Sequence, residues 1–340
     1  MEEQKTCNRL NGYLDLTAPD GRVTPCCLLD IKDGWKSNIY DGVNFDDWNG
    51  NLRKGCWPCT DNEKNGHESM RQTAIKNGMQ ISLSFTCNFM CRICKPSLST
   101  RWEKMIEGEN FEKFDKDHYY TDPRRKQFVE QQKRFLNMVD LDRMEEVYIV
   151  GGEPFFTKRL PEFLDTLPRS CSLKFNTNGS IFPSDAIVSK LKEFKSVRML
   201  VSIDAIGDLA ECIRYGTVWK DVDQNIQRHI DTWDETWIYS TISALNVNRM
   251  EEVYDYAGER SRMNPVHYPN FLRPEQIPIG YRKNWGISSL RGMGDFNNII
   301  WSETPVKSES STLLDFIKTC DRIQGKYFRD VNPEIWNILL

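Results

Sequence analysis

From Met79 onward the sequence alternates between short apolar runs and longer stretches of helical period, and that alternation restricts the fold more than any other feature. Gln80 to Phe85, Glu146 to Val150, Ser172 to Asn176, Val197 to Ile203, Thr236 to Ile242 and Val266 to Phe271 have the length and content of strands. Between them, Arg125 to Met138, Leu160 to Leu167, Ser184 to Phe194, Val218 to Ile230 and Arg249 to Arg260 carry apolar residues at helical spacing. Strands separated by helices are joined by crossovers, so this order predicts a parallel sheet covered by helices, an α/β fold. Periodicity does not say whether such a sheet closes into a barrel.

The first 75 residues read differently. They are rich in Gly, Asp, Asn and Trp, and hold strand-like pieces at Tyr13 to Leu16 and Val23-Thr24 around the turn Ala18-Pro19-Asp20-Gly21. This is a small hairpin module too poor in apolar residues to fold on core burial alone, and one that a metal would staple. Beyond about Pro274 the pattern weakens to loop-like Pro, Gly and Ser, with one helix at Thr312 to Ile323. Three segments follow: a module over 1–75, a core over 76–272 and an extension over 273–340.

The 340 residues are 39% hydrophobic and 28% charged, which suits an ordinary soluble protein and excludes disordered and fibrous classes. A net charge of -4 argues against a non-specific nucleic-acid binder, which needs a cationic surface to displace counterions. The short run Arg124-Arg125-Lys126 reads as a solvated helix start. No stretch approaches the roughly 18 apolar residues of a membrane span. Met1-Glu2-Glu3-Gln4-Lys5 lacks the features of a signal peptide, so a cytoplasmic location is expected. In that compartment the eleven cysteines are not expected to form disulfides. Eight of them precede residue 95, so their clustering points to metal or catalysis, while Cys171, Cys212 and Cys320 read as buried thiols.

Cys87, Cys91 and Cys94 directly follow the first strand of the alternating region, on a loop at a strand's C-terminal end, where parallel sheets hold their sites. Three thiolates leave one iron of a [4Fe-4S] cube without a protein ligand, free to bind something else. On spacing alone zinc stays open. Gly151-Gly152-Glu153-Pro154 follows the second strand; two glycines admit a ligand close to the backbone, and a carboxylate suits an ammonium. Thr177-Asn178-Gly179 and Ser202-Ile203-Asp204 end later strands, where such residues often serve only turns. The four histidines show no paired metal spacing.

The C-x3-C-x2-C loop after a strand, followed in order by GGE and polar strand ends, resembles the radical S-adenosylmethionine superfamily. The resemblance implies a partial (β/α)6 TIM-like barrel and a [4Fe-4S] cluster on Cys87, Cys91 and Cys94 as the catalytic centre. It further implies S-adenosylmethionine held by Phe89, Gly151, Gly152, Glu153, Asn178, Ser202, Asp204, Arg214 and Asn246. Upstream, Cys7, Cys26-Cys27 after Pro25, and Cys56-Trp57-Pro58-Cys59 resemble a twitch module, a relative of the SPASM auxiliary domain. That likeness implies a second [4Fe-4S] cluster on Cys7, Cys26, Cys56 and Cys59, with zinc as the alternative and Cys27 the spare. The module precedes the barrel here, whereas in the better-understood members it follows.

The resemblance implies an enzyme in which S-adenosylmethionine is reductively cleaved to a 5'-deoxyadenosyl radical that removes hydrogen from a substrate. A peptide or protein side chain is the first expectation, and a small sugar, nucleotide or aminocyclitol the alternative. An electron donor such as flavodoxin or ferredoxin is implied. A zinc-stabilised interaction module and a two-cluster electron carrier are the readings from other classes, and the carrier leaves Gly151-Gly152-Glu153 unexplained. Phe111, Phe114, Tyr119, Tyr120 and Trp285 read as core or surface aromatics before they read as a substrate lining.

Overall fold

The computed structural model describes residues 13–25, 37–43, 56–64, 77–285 and 309–340. The strands in chain order are β1 (Leu14–Leu16), β2 (Gly78–Ser82), β3 (Met90–Cys91), β4 (Glu146–Val150) and β5 (Ser172–Thr177). They continue with β6 (Ser196–Ser202), β7 (Arg214–Tyr215), β8 (Glu235–Ile242) and β9 (Ser261–Pro265). Seven form one parallel sheet in the order β1-β2-β4-β5-β6-β8-β9, and β3 pairs with β7. The helices that matter below are α1 (Trp57–Lys64), α2 (Thr100–Met105), α3 (Lys116–Tyr119), α4 (Phe128–Leu136) and α5 (Leu160–Asp165). They are followed by α6 (Asp185–Leu191), α7 (Gly207–Ile213), α8 (Trp219–Thr232) and α9 (Met250–Ala257). The α/β expectation therefore holds.

Two compact units divide the chain. One comprises Met1–Phe85, Thr121–Asn176 and Pro183–Arg198; the other comprises Thr86–Tyr120, Thr177–Phe182 and Met199–Leu340.

In the first unit the apolar alternation of the strands becomes a buried face. Val147 and Ile149 of β4 lie opposite Leu173 and Phe175 of β5, all buried, while Glu146, Tyr148, Ser172 and Lys174 between them are half-buried. Phe155 stacks on Phe175 with ring centroids 5.2 Å apart. The carbonyls at the end of β2 and just after it are secured by polar side chains: the Gln132 amide of α4 donates to Ser82 O at 3.0 Å. Arg159 donates to Leu83 O and, at 3.0 Å, to Gln132 Oε1.

The expected N-terminal hairpin forms, with Asp15 and Thr24 exchanging backbone hydrogen bonds of 2.6 and 3.2 Å. Its first strand does more than the sequence indicates. β1 lies parallel to β2 with Leu14, Asp15 and Leu16 opposite Met79, Gln80 and Ile81, so the hairpin lengthens the main sheet. Gly21 at φ +79° closes the turn where the Pro19-Asp20-Gly21 pattern requires it.

Among the described residues the second unit buries an apolar cluster that includes Val201, Ile213, Leu245, Val253 and Phe316. On α8, Val222, Ile226 and His229 recur at helical spacing on the buried face. The helix Ser310–Gln324 buries Leu313, Phe316, Ile317, Cys320, Asp321 and Gln324 and ends on Gly325 in the left-handed conformation. Phe111, Phe114 and Tyr119 pack on Trp102, Phe271 and Phe316 as core aromatics, whereas Tyr120 is exposed. Cys171, Cys212 and Cys320 are buried free thiols.

One strand is displaced from its expected place. The last one runs over Ser261–Pro265 rather than Val266 to Phe271, and Asn270–Leu272 is a short 3-10 turn. Pro269 cannot donate to a ladder, and pairing with β8 sets Ile238 opposite Ser261 and Ile242 opposite Pro265. Its buried positions are Ser261, Met263 and Pro265, a mixture that carries no strand signature.

Candidate functional site

The loop carrying Cys87, Cys91 and Cys94 is held by its backbone carbonyls. Four consecutive residues downstream take them: Thr100 Oγ1 meets Cys87 O at 3.5 Å, Arg101 Nη1 donates to Asn88 O at 2.6 Å, Ser99 Oγ to Phe89 O at 2.7 Å, and Trp102 Nε1 to Cys91 O at 2.8 Å. Gln324 Nε2 takes Met90 O at 3.1 Å. Ser99 also caps α2 by accepting the Trp102 N–H, so one serine both starts the helix and grips the loop. Sequence reasoning missed this set, because Ser, Thr, Arg and Trp in a row carry no spacing signal of their own.

The other side of the loop is a two-residue antiparallel ladder. Met90 lies opposite Tyr215 and Cys91 opposite Arg214, and the next N–H, of Arg92, donates to Ile213 O at 2.7 Å. Gly216 follows at φ +110°, where a Cβ would stand 2.8 Å from Asn88 O and 2.9 Å from the Phe89 ring. Phe89 itself is buried.

Asp204 and Arg214 form a buried pair, with Arg214 Nη1 to Asp204 Oδ2 at 2.8 Å, while Asp204 Oδ1 accepts the Thr241 N–H at 2.8 Å. Burial works against the Arg214 charge, but the Asp204 carboxylate, and the Cys91 sulfur in its thiolate form, outweigh it and hold the guanidinium above its ordinary value. The same burial pushes the Cys91 and Cys94 thiols up, with Arg214 pulling Cys91 the other way. Arg214 Nε is buried and has no hydrogen-bond partner among the described residues.

Asn178 joins this neighbourhood from the end of β5. Its Nδ2 donates to Asn88 Oδ1 at 2.9 Å and stands 3.9 Å from Cys87 Sγ, which also accepts the Phe89 N–H at 3.4 Å. Asn246 is wholly buried and spends its amide on the chain: Oδ1 accepts from Ser243 N and Oγ, and Nδ2 donates to Asp204 O and Thr241 O. Ser202, at the end of β6, is half-buried. The second unit thus brings together Cys87, Cys91, Cys94, Phe89, Asn178, Asp204, Arg214 and Asn246.

Gly151, Gly152 and Glu153 belong to the first unit. Both glycines have positive φ, +78° and +51°, and a Cβ on Gly151 would lie 2.1 Å from Ser82 Oγ. Glu153 is buried and accepts the Phe155 N–H at 3.1 Å, starting a 3-10 turn. Of the upstream cysteines, Cys56 is half-buried just before α1 and Cys59 is buried within it, three residues further on. Cys7 and Cys26 lie outside the described residues, as do Cys27 and His67.

Three thiols on one loop, two of them receiving or flanked by N–H and amide donors and a guanidinium, suit an iron–sulfur cluster, whose anionic sulfurs need such donors. Among the described residues no three His, Cys, Asp or Glu side chains converge on a single ion. The orphaned Arg214 Nε beside Cys91 suits an anionic group bound there.

No family model matches the chain. It is 23% identical over 191 residues to the GTP 3',8-cyclase of Sulfurovum sp. (strain NBC37-1), covering 54% of this chain and 52% of that relative. It is 24% identical over 215 residues to the GTP 3',8-cyclase of Syntrophomonas wolfei subsp. wolfei (strain DSM 2245B / Goettingen), covering 62% and 58%. The chain spans about half the length of the curated relatives it matches. Among solved structures it is similar to anSMEcpe with bound AdoMet, at 15% identity and a TM-score of 0.40 over 74% of this chain and 63% of that one. Streptococcus suis SuiB bound to precursor peptide SuiA gives 13% identity and a TM-score of 0.41 over 62% and 45%. The similarity to the two cyclases supports a place for the chain in the radical S-adenosylmethionine superfamily. No helix among the described residues is long and apolar enough to cross a membrane.

Proposed function

We propose that this chain is a radical S-adenosylmethionine enzyme whose [4Fe-4S] cluster is held by Cys87, Cys91 and Cys94. The observation that carries the reading is the gathering of three thiols on one tethered loop beside the Arg214–Asp204 pair, with Arg214 Nε buried and unpaired among the described residues. When bound, the cluster supplies one electron that splits the sulfonium of S-adenosylmethionine into methionine and a 5'-deoxyadenosyl radical.

The chain's own residues bind, orient and exclude water. Arg214 offers its free Nε to the cosubstrate carboxylate, fixed in direction by Asp204. The positive φ of Gly151 and Gly152 lets a ligand approach the backbone, and Glu153 takes an ammonium. Asn178 and Ser202 present polar strand ends to the ribose or methionine parts, and Phe89 contributes an apolar wall. Asn246, whose amide is spent on Asp204, Thr241 and Ser243, acts by holding the ends of two strands together. No acid or base is required for hydrogen abstraction; positioning and dryness are the protein's share.

A second [4Fe-4S] cluster on Cys7, Cys26, Cys56 and Cys59, as the twitch resemblance implies, would return an electron from the substrate radical and make the overall reaction an oxidation. A flavodoxin or ferredoxin would supply the first electron. The substrate carbon lies on a peptide or protein side chain by that same resemblance. The second reading, a nucleotide or similar small molecule, is favoured by the names of the two curated relatives, both GTP 3',8-cyclases.

Anaerobic reconstitution with iron and sulfide, followed by dithionite and S-adenosylmethionine, tests the class without a substrate in hand. 5'-Deoxyadenosine is expected from the parent and not from Cys91→Ala. Equal behaviour of the two proteins would overturn the reading. Cys7→Ala is expected to keep deoxyadenosine formation and lose product; loss of neither would sink the second cluster's role.

A further inference from the structure

The C-terminal extension looks from sequence like an appendage, yet its long helix is bonded to the residue between two cluster cysteines. We propose that Arg92 is a positioning residue that makes the helix Ser310–Gln324 and the turn after it a working part of the cluster site. This rests on the reading of Cys87, Cys91 and Cys94 as cluster ligands.

Arg92 stands in the loop between Cys91 and Cys94 and is fully buried. Its Nε donates to Cys212 O at 3.1 Å and to Gln324 Oε1 at 2.9 Å, and its Nη2 donates to Lys326 O at 3.0 Å and pairs with Asp321 Oδ1 at 2.8 Å. Gln324 returns the contact by donating to Met90 O at 3.1 Å, on the other side of Cys91. Asp321 Oδ1 also accepts the Phe328 N–H at 3.0 Å, and the Phe328 ring lies 5.9 Å from the guanidinium carbon. One side chain therefore ties α7, the helix Ser310–Gln324 and the turn after Gly325 to the loop that spaces the thiols.

Stability alone does not account for it. A buried ion pair recovers little beyond its own desolvation, and apolar residues of similar volume usually serve a core as well or better. A planar guanidinium with fixed donor directions instead fixes orientation, which a flexible apolar side chain does not. The orientation fixed here is that of the backbone carrying Cys91 and Cys94. The pair also sets two opposite charges at different distances from the loop, Arg92 being part of it and Asp321 one contact further away, so removing either one alone changes the field at the loop.

The test uses the full chain, reconstituted anaerobically, in a Cys56→Ala/Cys59→Ala background that removes the proposed second cluster. Iron content, the electron paramagnetic resonance spectrum of the reduced cluster and its midpoint potential are read without S-adenosylmethionine. Loss of the carboxylate in Asp321→Asn favours the more negative, reduced cluster, so the potential is expected to rise; Arg92→Gln is expected to lower it. Arg92→Lys keeps the charge but not the fork, and is expected to leave an altered spectrum and a severalfold faster loss of iron to a chelator. Gln324→Leu keeps both charges and is expected to lose iron faster at a near-parental potential, which carries the test if Arg92→Gln does not fold. Parental iron retention, spectrum and potential in every soluble variant would overturn the inference while leaving the cluster assignment standing. A parent that binds no iron overturns both.

Discussion

Cys91 and Arg214 face each other across a two-residue antiparallel ladder, so the middle thiol of the loop and the guanidinium nearest it are set by backbone pairing. Arg214 is set a second time by Asp204, whose carboxylate is itself pinned by the Thr241 N–H and whose carbonyl is held by Asn246. The ends of β6 and β8 are therefore fastened to the loop through a single cation.

The Asp204–Arg214 pair should behave as one unit. Removing one partner leaves a buried charge uncompensated, at a cost of about 3–5 kcal/mol. Arg214→Gln and Asp204→Asn are each expected to lower the stability of the metal-free protein by an amount in that range. The double variant should cost clearly less than the sum. Denaturant unfolding of the four proteins checks this, and simple additivity would show that the two side chains are not coupled.

Gly216 gives a sharper test of the loop's packing. At φ +110°, with a Cβ only 2.8 Å from Asn88 O, alanine there carries both backbone strain and a clash. Strain of this kind costs about 1–3 kcal/mol. Gly216→Ala is expected to lower the melting temperature of the metal-free protein and the iron taken up on reconstitution. Gly258→Ala, at positive φ but with nothing within 4 Å of a Cβ, should lower the first and spare the second.

How much of this was legible beforehand follows from which interactions are local. Strands β4, β5 and β8 could be read because Val147, Ile149, Leu173, Phe175, Ile238 and Ile242 alternate along the chain. β9 could not, since its place is decided by pairing with β8, and its own residues, Ser261 to Pro265, show no pattern. The three loop cysteines were evident from spacing. Arg92 was not, because its acceptors at Cys212, Asp321, Gln324 and Lys326 lie far away in sequence, and a single arginine inside a cysteine loop gives no sign of being buried. β1 joining the main sheet is likewise a long-range pairing that a hairpin pattern does not announce.

His229 makes stability depend on pH. Wholly buried, with Nδ1 accepting the Trp233 indole N–H at 3.1 Å, it is pushed from an ordinary value of 6.5 down to about 4 by burial, with Arg228 adding to the effect. The unfolded chain then takes up the proton first as pH falls. The stability carried by the neutral imidazole is fully present above about 6.5 and is lost as pH falls toward 4, up to about 3 kcal/mol. His229→Gln should flatten the fall in stability between pH 6.5 and 5, measured by urea unfolding. An unchanged slope would remove His229 as its source.

Gly151 and Ser82 occupy one another's space at the end of β2 and β4. A Cβ on Gly151 would stand 2.1 Å from Ser82 Oγ and 2.5 Å from Ser82 Cβ, but 3.4 Å from its Cα. Two separate penalties follow for Gly151→Ala: a clash that depends on the Ser82 side chain, and the left-handed backbone at φ +78°, which does not. Ser82→Gly removes only the first. The double variant is therefore expected to recover much of the stability lost by Gly151→Ala and to keep a deficit of about 1–2 kcal/mol relative to Ser82→Gly alone. Unfolding midpoints of the four metal-free proteins separate the two terms. If the serine change gave no recovery, the glycine would be required by the backbone alone, and its approach to Ser82 would be incidental to the turn that presents Glu153.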